Sequence, residues 1–434
     1  MPNKTLLIGL DGLPASLFNA LYDGGELPHL RAAFEGGLRV RRLVSAFPTD
    51  SMTCMPLIFQ GRGVANLNPI AQLCYERDTG HYLFAWDLLP FLRGGSQPTC
   101  PPSVLHGIRR SFVIGIREAM DASVYIPPFY FLCGAFLTPL APRFDTLVLR
   151  VLPYLLARFD AVAYWTASCD HTAHSYGRQA MANALRQLDH KFGALIEVLP
   201  QGTTLLLLSD HGNGPVHTTF DLAKVVQQHG YHVTRRPAGK RDVVLCDSLL
   251  NYTFAYTPGD PAHLAEVLRR RPEIGLCAFR MPGEGAVSVA NCHGRAEIQA
   301  HAGRYRYAPL EGDPLGYGLA HPLELSAREW LASTIESRYP YGVVRLWEVF
   351  QNPQCGDLVL SFDNGYCPEW SFTLGGRVKV HAPMLRFCHN HGGMEREQLL
   401  TIMLARGAGI APETRDYALI EDLFPILRKQ LAQS

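Results

Sequence analysis

Three uninterrupted apolar runs stand out along the chain, and each stops on charged or imidazole side chains. "KTLLIGLDG" ends on Asp11 and Gly12, "FDAVAYWTASCDHTAH" on Asp170 with His171 and His174 just after, and "TTLLLLSDHGNG" on Asp210 and His211. Runs of four or more β-compatible apolar residues with no polar alternation predict strands buried on both faces, as in a parallel sheet. A fourth, shorter run in "APMLRFCHNHGG" leads to His389 and His391. Between the runs the period changes. In "SYGRQAMANALRQLDHKFGALIEVL" the apolar positions Ala180, Ala184, Leu185, Leu188, Phe192, Leu195 and Ile196 recur at three and four, which predicts a helix. Strands alternating with helices predict an α/β fold with a doubly wound, mostly parallel sheet.

Two stretches, about 63–152 and 232–379, are rich in Pro and Gly and lack regular alternation. They read as insertions forming a cap and extra sheet structure on a single catalytic domain, 1–434, whose core is about 1–62, 153–231 and 380–434. The second stretch contains "CGDLVLSFDNGY", a strand with turn residues at both ends. The longest uncharged segment, Ala122 to Pro142, is nominally long enough to span a bilayer, but Pro127, Pro128 and Pro139 break it. It reads as a buried loop, a lid or an apolar surface for a lipid-like substrate, not a transmembrane span.

Composition narrows the function classes. Hydrophobic residues are 47% and charged residues 18% of the 434, a globular balance with no disorder signature. The formal net charge of +1 supplies no basic excess for a nucleic-acid polymer, so an anionic small molecule would have to be held by a local site. The opening "MPNKTLLIGLDGLP" offers too short an apolar run for a secretory signal. Its 11 cysteines follow no zinc-finger or CxxC spacing and suit reduced thiols. A cytoplasmic location is the expectation.

Asp and His at a strand exit are also good turn and cap residues, so no single pair decides anything. Together, however, Asp11, Asp170, Asp210, His174, His211 and His391 make three carboxylates and three imidazoles at places where open α/β sheets bind ligands. Mixed oxygen and nitrogen donors suit Zn²⁺, with Mn²⁺ or Fe²⁺ as alternatives, and six groups divide into two three-ligand sites with open positions. Two metals about 4 Å apart clamp the attacking and leaving oxygens of a displacement at phosphorus. For a nucleophile, "FPTDSMTCMPLIFQGR" offers Thr49, Ser51, Thr53 and Cys54 in a turn followed by a short helix. A hydroxyl at that helix start meets the positive end of its dipole, which favours Ser51 or Thr49.

As a set these motifs resemble the type I phosphodiesterase / nucleotide pyrophosphatase branch of the alkaline phosphatase superfamily. The segments LLIGLDG, LPHLRAAFEGGLRVRRL, FPTDSMTCMPLIFQGR, CDHTAHSYG, LLLSDHGNG and HGG occur in the family's order. The resemblance implies an alkaline phosphatase-like fold. It places the nucleophile ten residues before the glycine closing its helix, and counting back from Gly61 selects Ser51. It further implies one metal held by Asp170, His174 and His391, and another by Asp11, Asp210 and His211 with Ser51 bound to it. His171 and His389 fall outside the pattern, as supporting or surface histidines, with an exchange of His389 for His391 left open.

Two departures bear on substrate. The family generally carries threonine as nucleophile and an asparagine three residues on, where this chain has Ser51 and Cys54. A phosphoryl-oxygen contact from this turn would then come from Thr53, Cys54 or backbone N–H groups. Sulfatases of the same superfamily convert a cysteine two residues before a proline, as Cys54 precedes Pro56, but Cys54 stands only seven residues before Gly61 and Ile58 replaces the expected arginine. The expected activity is therefore a two-metal phosphoester hydrolase, phosphodiesterase-like, acting through a phosphoseryl intermediate on a small phosphoester with an apolar or nucleoside group. Phosphomonoesterase, phosphonate hydrolase, sulfatase-like hydrolase and phosphoryl transferase activities use the same core, and a non-catalytic metal-binding scaffold is the reading from another class.

Overall fold

The computed structural model describes residues 4–84, 111–114, 124–126, 141–247, 250–281, 283, 285–374, 377–381 and 387–432. Most of the apolar segment 122–142, read above as a loop, lid or lipid-like surface, lies outside the described residues. The three apolar runs form the centre of a nine-stranded sheet. Thr5–Leu10 lies between Ala161–Thr166 and Thr204–Leu208, parallel to both and in register along its length. On one side Ser111–Ile114 and Val124–Ile126 continue the parallel order, so two strands from within 63–152 also join this sheet. On the other side Leu400–Arg406 enters antiparallel, followed by Leu38–Val44, which pairs with Glu413–Arg415 and Ala418–Leu419. The sheet is thus mostly parallel, with one reversed strand.

The physical reason for the all-apolar runs is visible. Every residue of Thr5–Leu10, Ala161–Thr166 and Thr204–Leu208 is buried, so neither face of these strands meets water and no polar alternation is called for. The helical stretch Ser168–Ile196, broken at Gly177 (φ 81°), buries Leu185, Leu188, Phe192 and Leu195 in its second part as its spacing predicts. It begins earlier than its apolar stripe, at Ser168, and its start changes one expectation: Asp170 is in the helix's first turn, not on the strand end, because the strand stops at Thr166.

A second nine-stranded sheet spans His232–Val233 to Leu358–Phe362 in a largely antiparallel order, with Tyr252–Tyr256, Leu358–Phe362 and Ile274–Met281 adjacent. The strand legible in "CGDLVLSFDNGY" is Leu358–Phe362, fully buried near the middle of this sheet. Both sheets contribute to one contiguous apolar core. Among the described residues no helix is long and apolar enough to cross a membrane.

Candidate metal centre

Two central strand exits (Asp11; Asp210 and His211), the first turns of the helix starting at Ser168 (Asp170 and His174) and the loop after His389–Asn390 (His391) bring six side chains into two clusters. In each cluster the ligand atoms of three residues, Asp170, His174 and His391 in one and Asp11, Asp210 and His211 in the other, lie within 4.8 Å of one another, and all six residues are buried. In the first, His174 Nε2 is 3.0 Å from Asp170 Oδ2, an (i, i+4) pair on one helix face, and His391 Nε2 is 3.9 Å from Asp170 Oδ1. In the second, His211 Nε2 lies 3.5 Å from Asp11 Oδ1 and 3.4 Å from Asp210 Oδ2. The rings of His211 and His391 stack at 4.0 Å, which makes the two clusters halves of one site.

Backbone geometry orients each donor. His174 Nδ1 donates to the His389 carbonyl at 2.7 Å, His211 Nδ1 to that of Gly212 at 3.0 Å, and His391 Nδ1 to that of Thr49 at 2.9 Å. With the proton held on Nδ1 in all three, each Nε2 presents a lone pair to the cluster. Asp210 Oδ1 accepts the N–H groups of His211 (3.0 Å) and Gly12 (3.4 Å). Its Oδ2, like Oδ1 of Asp170, is buried without a hydrogen-bond partner. Gly12 has φ +63°, and a Cβ there would sit 2.3 Å from Asp170 Oδ1, so the residue after Asp11 must be glycine for the two halves to approach.

Electrostatics separates the halves. Burial pushes the Asp11 carboxyl well above its usual range, and the neighbouring charges of Asp210 and then Asp170 add to this. Asp210 is also raised, by burial. Burial acts on Asp170 in the same direction, but His174 and His391 outweigh it and hold the carboxyl low. Burial works against charge on His174, and Asp170 more than compensates, so this imidazole is raised. His391 is pushed well below the usual histidine range, by burial and then by His211. Three converging buried carboxylates, two of whose oxygens lack any hydrogen-bond donor, together with three oriented Nε2 atoms, are an oxygen–nitrogen donor set that fits two divalent cations.

Of the four residues considered as nucleophile, one reaches this centre. Ser51 Oγ is 3.3 Å from Asp11 Oδ1 and 3.4 Å from His211 Nε2. It is the first residue of the helix Ser51–Gln60, closed by Gly61 in the left-handed conformation (φ 63°). Thr49 is fully buried, and its hydroxyl donates to the Gly393 carbonyl and accepts from Gly392 N–H, so it clamps the loop that carries His391. Thr53 and Cys54, expected to contact substrate, are both fully buried, with their side chains bonded to groups outside the two clusters. Thr53 Oγ1 donates to Asp50 Oδ1 and the Ile70 carbonyl. Cys54 is fully buried, its Sγ 3.0 Å from Ser45 Oγ, and burial raises its thiol well above the ordinary value. At 3.6 residues per turn, positions 51 and 54, three apart, share a helix face in principle, but here the core claims the cysteine. That burial also removes the sulfatase-like reading, which needs the Cys54 position at the reaction centre.

His389 is not interchangeable with His391. Its ring meets Asn213 Oδ1 at 3.1 Å while its carbonyl holds His174, and burial lowers its pKa to about 4. His171 stands beside Asp170 but outside both clusters, and burial lowers it too, to about 4.

Sequence reading missed the residues that hold Ser51. Asp50 caps the helix: Oδ1 accepts from Thr53 N at 2.7 Å, and Oδ2 accepts from Gln72 N at 3.3 Å and from Tyr252 Oη at 2.8 Å. Tyr252 belongs to the second sheet, so the helix bearing Ser51 is tied to both sheets. An aspartate before Ser51 with a residue three on to donate is a legible cap signal; Tyr252 leaves none. Asn213 bridges the Gly12 carbonyl and His389, and the Phe387 ring lies 4.7 Å from that of His174.

The sequence matches the family described as type I phosphodiesterase / nucleotide pyrophosphatase over residues 5–369. No curated protein matches by sequence. Solved structures are similar in fold at low identity. Murine ectonucleotide pyrophosphatase / phosphodiesterase 5 superposes with a TM-score of 0.57 at 14% identity, covering 100% of this chain and 96% of that one. An inactive variant of it, in complex with AMP, gives 0.56 at 15% with the same coverage. Phosphonoacetate hydrolase from Sinorhizobium meliloti 1021, in complex with phosphonoformate, gives 0.59 at 14%, covering 99% of this chain and 96% of that one.

Proposed function

The chain belongs to the type I phosphodiesterase / nucleotide pyrophosphatase family and is a phosphoester hydrolase, and from that premise we propose that it cleaves small phosphodiesters at the paired clusters, with Ser51 as nucleophile. One observation carries the reading: a single hydroxyl, at a helix N-terminus, within 3.4 Å of Asp11 and His211 and next to a second three-ligand cluster. Asp11, Asp210 and His211 would hold one divalent cation together with Ser51, and Asp170, His174 and His391 the other. The donor chemistry favours zinc, with manganese or iron as alternatives. When bound, such ions supply Lewis acidity, neutralising phosphoryl oxygens and lowering the pKa of coordinated hydroxyl and water.

The chain's own residues account for the rest. Ser51 Oγ attacks phosphorus, the bond to the leaving alcohol breaks with the Ser51 proton ending on that alcohol, and a phosphoseryl ester forms that keeps the second substituent; water then attacks phosphorus, and Ser51 departs and regains a proton from that water. Two displacements predict retention at phosphorus. The N-terminus of the helix Ser51–Gln60 stabilises the negative charge that Ser51 acquires in both steps. Asp50 and Tyr252 keep the hydroxyl aimed, so little reorganisation is needed when charge develops. Burial of the clusters excludes water from all but the reacting face.

The diester preference rests on the family, and the AMP complex of a fold relative supports a nucleoside-bearing substituent. Rates on aryl phosphodiesters, aryl phosphomonoesters and a phosphonate, measured with metal-replete protein, test it. Diester turnover should exceed the others; monoester turnover higher by orders of magnitude would reject it. Acid-quenched protein should carry on Ser51, by mass spectrometry, the phosphoryl group with the diester's second substituent still attached, and an unmodified Ser51 during turnover would reject the covalent route.

A further inference from the structure

The helix Ala141–Arg158 carries apolar side chains on its outer as well as its inner face. Its inner face buries Val148, Leu149, Leu152 and Leu156 in the core. Its outer face exposes Leu147 (60%), Val151 (40%) and Tyr154 (75%). At about 100° per residue these three share an arc of about 100° with Arg143, Arg150 and Arg158, all exposed. The one acidic residue of the helix, Asp145, is turned inward and accepts from the hydroxyls of Tyr164 and Thr166. Among the described residues none of the three arginines has an ion pair or hydrogen bond. Unpaired guanidinium groups interleaved with aliphatic and aromatic side chains, with no carboxylate between them, form a face that is at once apolar and cationic.

We propose that this face docks on an anionic lipid surface. The arginines choose among occupants. A second copy of the chain packed about a twofold axis would set guanidinium groups against guanidinium groups. The uncharged segment that precedes the helix has no acidic residue to pair with them. Anionic headgroups match all three, while Leu147 and Val151 enter the acyl boundary and Tyr154 sits at headgroup level. Arg stems extend along the apolar surface and keep their heads among phosphates. The helix lies on the bilayer and does not cross it, as its length and its arginines require.

The test is co-sedimentation of the full-length, metal-replete protein with vesicles of phosphatidylcholine alone and of phosphatidylcholine mixed with phosphatidylserine. Binding should occur on the anionic vesicles and fall as salt is raised from about 0.1 M to about 1 M. Each of Arg143→Gln, Arg150→Gln and Arg158→Gln should weaken partitioning about fivefold, and the triple variant about a hundredfold. Tyr154→Ser with Leu147→Ser should weaken it about tenfold or more while leaving the salt dependence in place. Hydrolysis of a soluble aryl phosphodiester, unchanged in every variant, certifies the fold. Absence of binding, equal binding to neutral vesicles, or unchanged binding by the triple arginine variant overturns the proposal. So does a dimer in sedimentation velocity that the same variant abolishes, which would assign the face to a second copy.

Discussion

The two halves of the metal centre are built from the same residue types in opposite proportion. The Asp11 half holds two carboxylates and one imidazole, the Asp170 half one carboxylate and two imidazoles. In the first, carboxylates face each other in a buried place and are pushed toward the neutral form. In the second, Asp170 is compensated by its own histidines and stays ionised. The difference teaches that the Asp11 half is under strain that only a cation or a proton relieves, whereas the Asp170 half is close to balance by itself. It is the strained half that faces Ser51, where a cation does most for the acidity of a hydroxyl.

The largest expected effect breaks the comparison at its functional end. Ser51→Ala should lower kcat at least about 1,000-fold. Elemental analysis should find both metal equivalents retained, because three ligands per cluster remain. Next, Asp210→Asn and His174→Gln should each cost one equivalent of metal and more than about 100-fold in activity, above the 10–100-fold typical of groups that merely support ligands.

Stability of the metal-free protein sharpens the contrast. Asp11→Asn should raise thermal stability, by about 1–3 kcal/mol, since it removes a buried carboxylate crowded by two others; Asp170→Asn should lower it by a similar amount, since it strands His174. The pH dependence carries a definite sign. A carboxyl raised in the folded state holds a proton that the unfolded chain has lost, so its contribution worsens as pH rises above about 4. The difference in stability between metal-free wild type and Asp11→Asn should therefore widen with pH, by up to about 1.4 kcal/mol per unit, and a difference that is flat in calorimetry from pH 5 to pH 7.5 would contradict it. Asp170 behaves oppositely: its stabilisation is present above the unfolded value and is lost only in strong acid.

Smaller effects test the supports. Tyr252→Phe removes the 2.8 Å hydrogen bond to Asp50 and should reduce kcat about tenfold, with about 1.5–3 kcal/mol of stability, at unchanged metal content. His389→Gln should change kcat less than about threefold, because the group that holds His174 is the backbone carbonyl of residue 389 and not its ring. A loss as large as that of His174→Gln would show that the ring matters after all.

How far the site could be read before the fold was known follows from what is local. Asp11 and Asp210 were legible because apolar runs in a doubly covered sheet must end abruptly, and the residues just past the end line the crevice. Gly61 marks the helix end, and the family resemblance supplies the ten-residue count from it that selects Ser51 over Thr49. His389 and His391 could not be separated, since residues two apart on a strand share a face; the chain breaks that rule by leaving the strand after Asn390 and passing through Gly392 at φ 107°. Thr53 and Cys54, expected as substrate contacts, are engaged elsewhere: Thr53 by Asp50 and the Ile70 carbonyl, and Cys54 by Ser45 in the core.

Hydrophobic periodicity and residue chemistry, which any short window contains, determined that this chain would build a parallel sheet with acids and imidazoles at its strand exits and a hydroxyl at a helix start. Only the tertiary structure decided which of those groups meet, which proton each imidazole keeps, and how charge is shared between the two halves. Those depend on contacts between residues hundreds of positions apart, such as Thr49 with His391 and Asp50 with Tyr252, and on burial that no local pattern encodes.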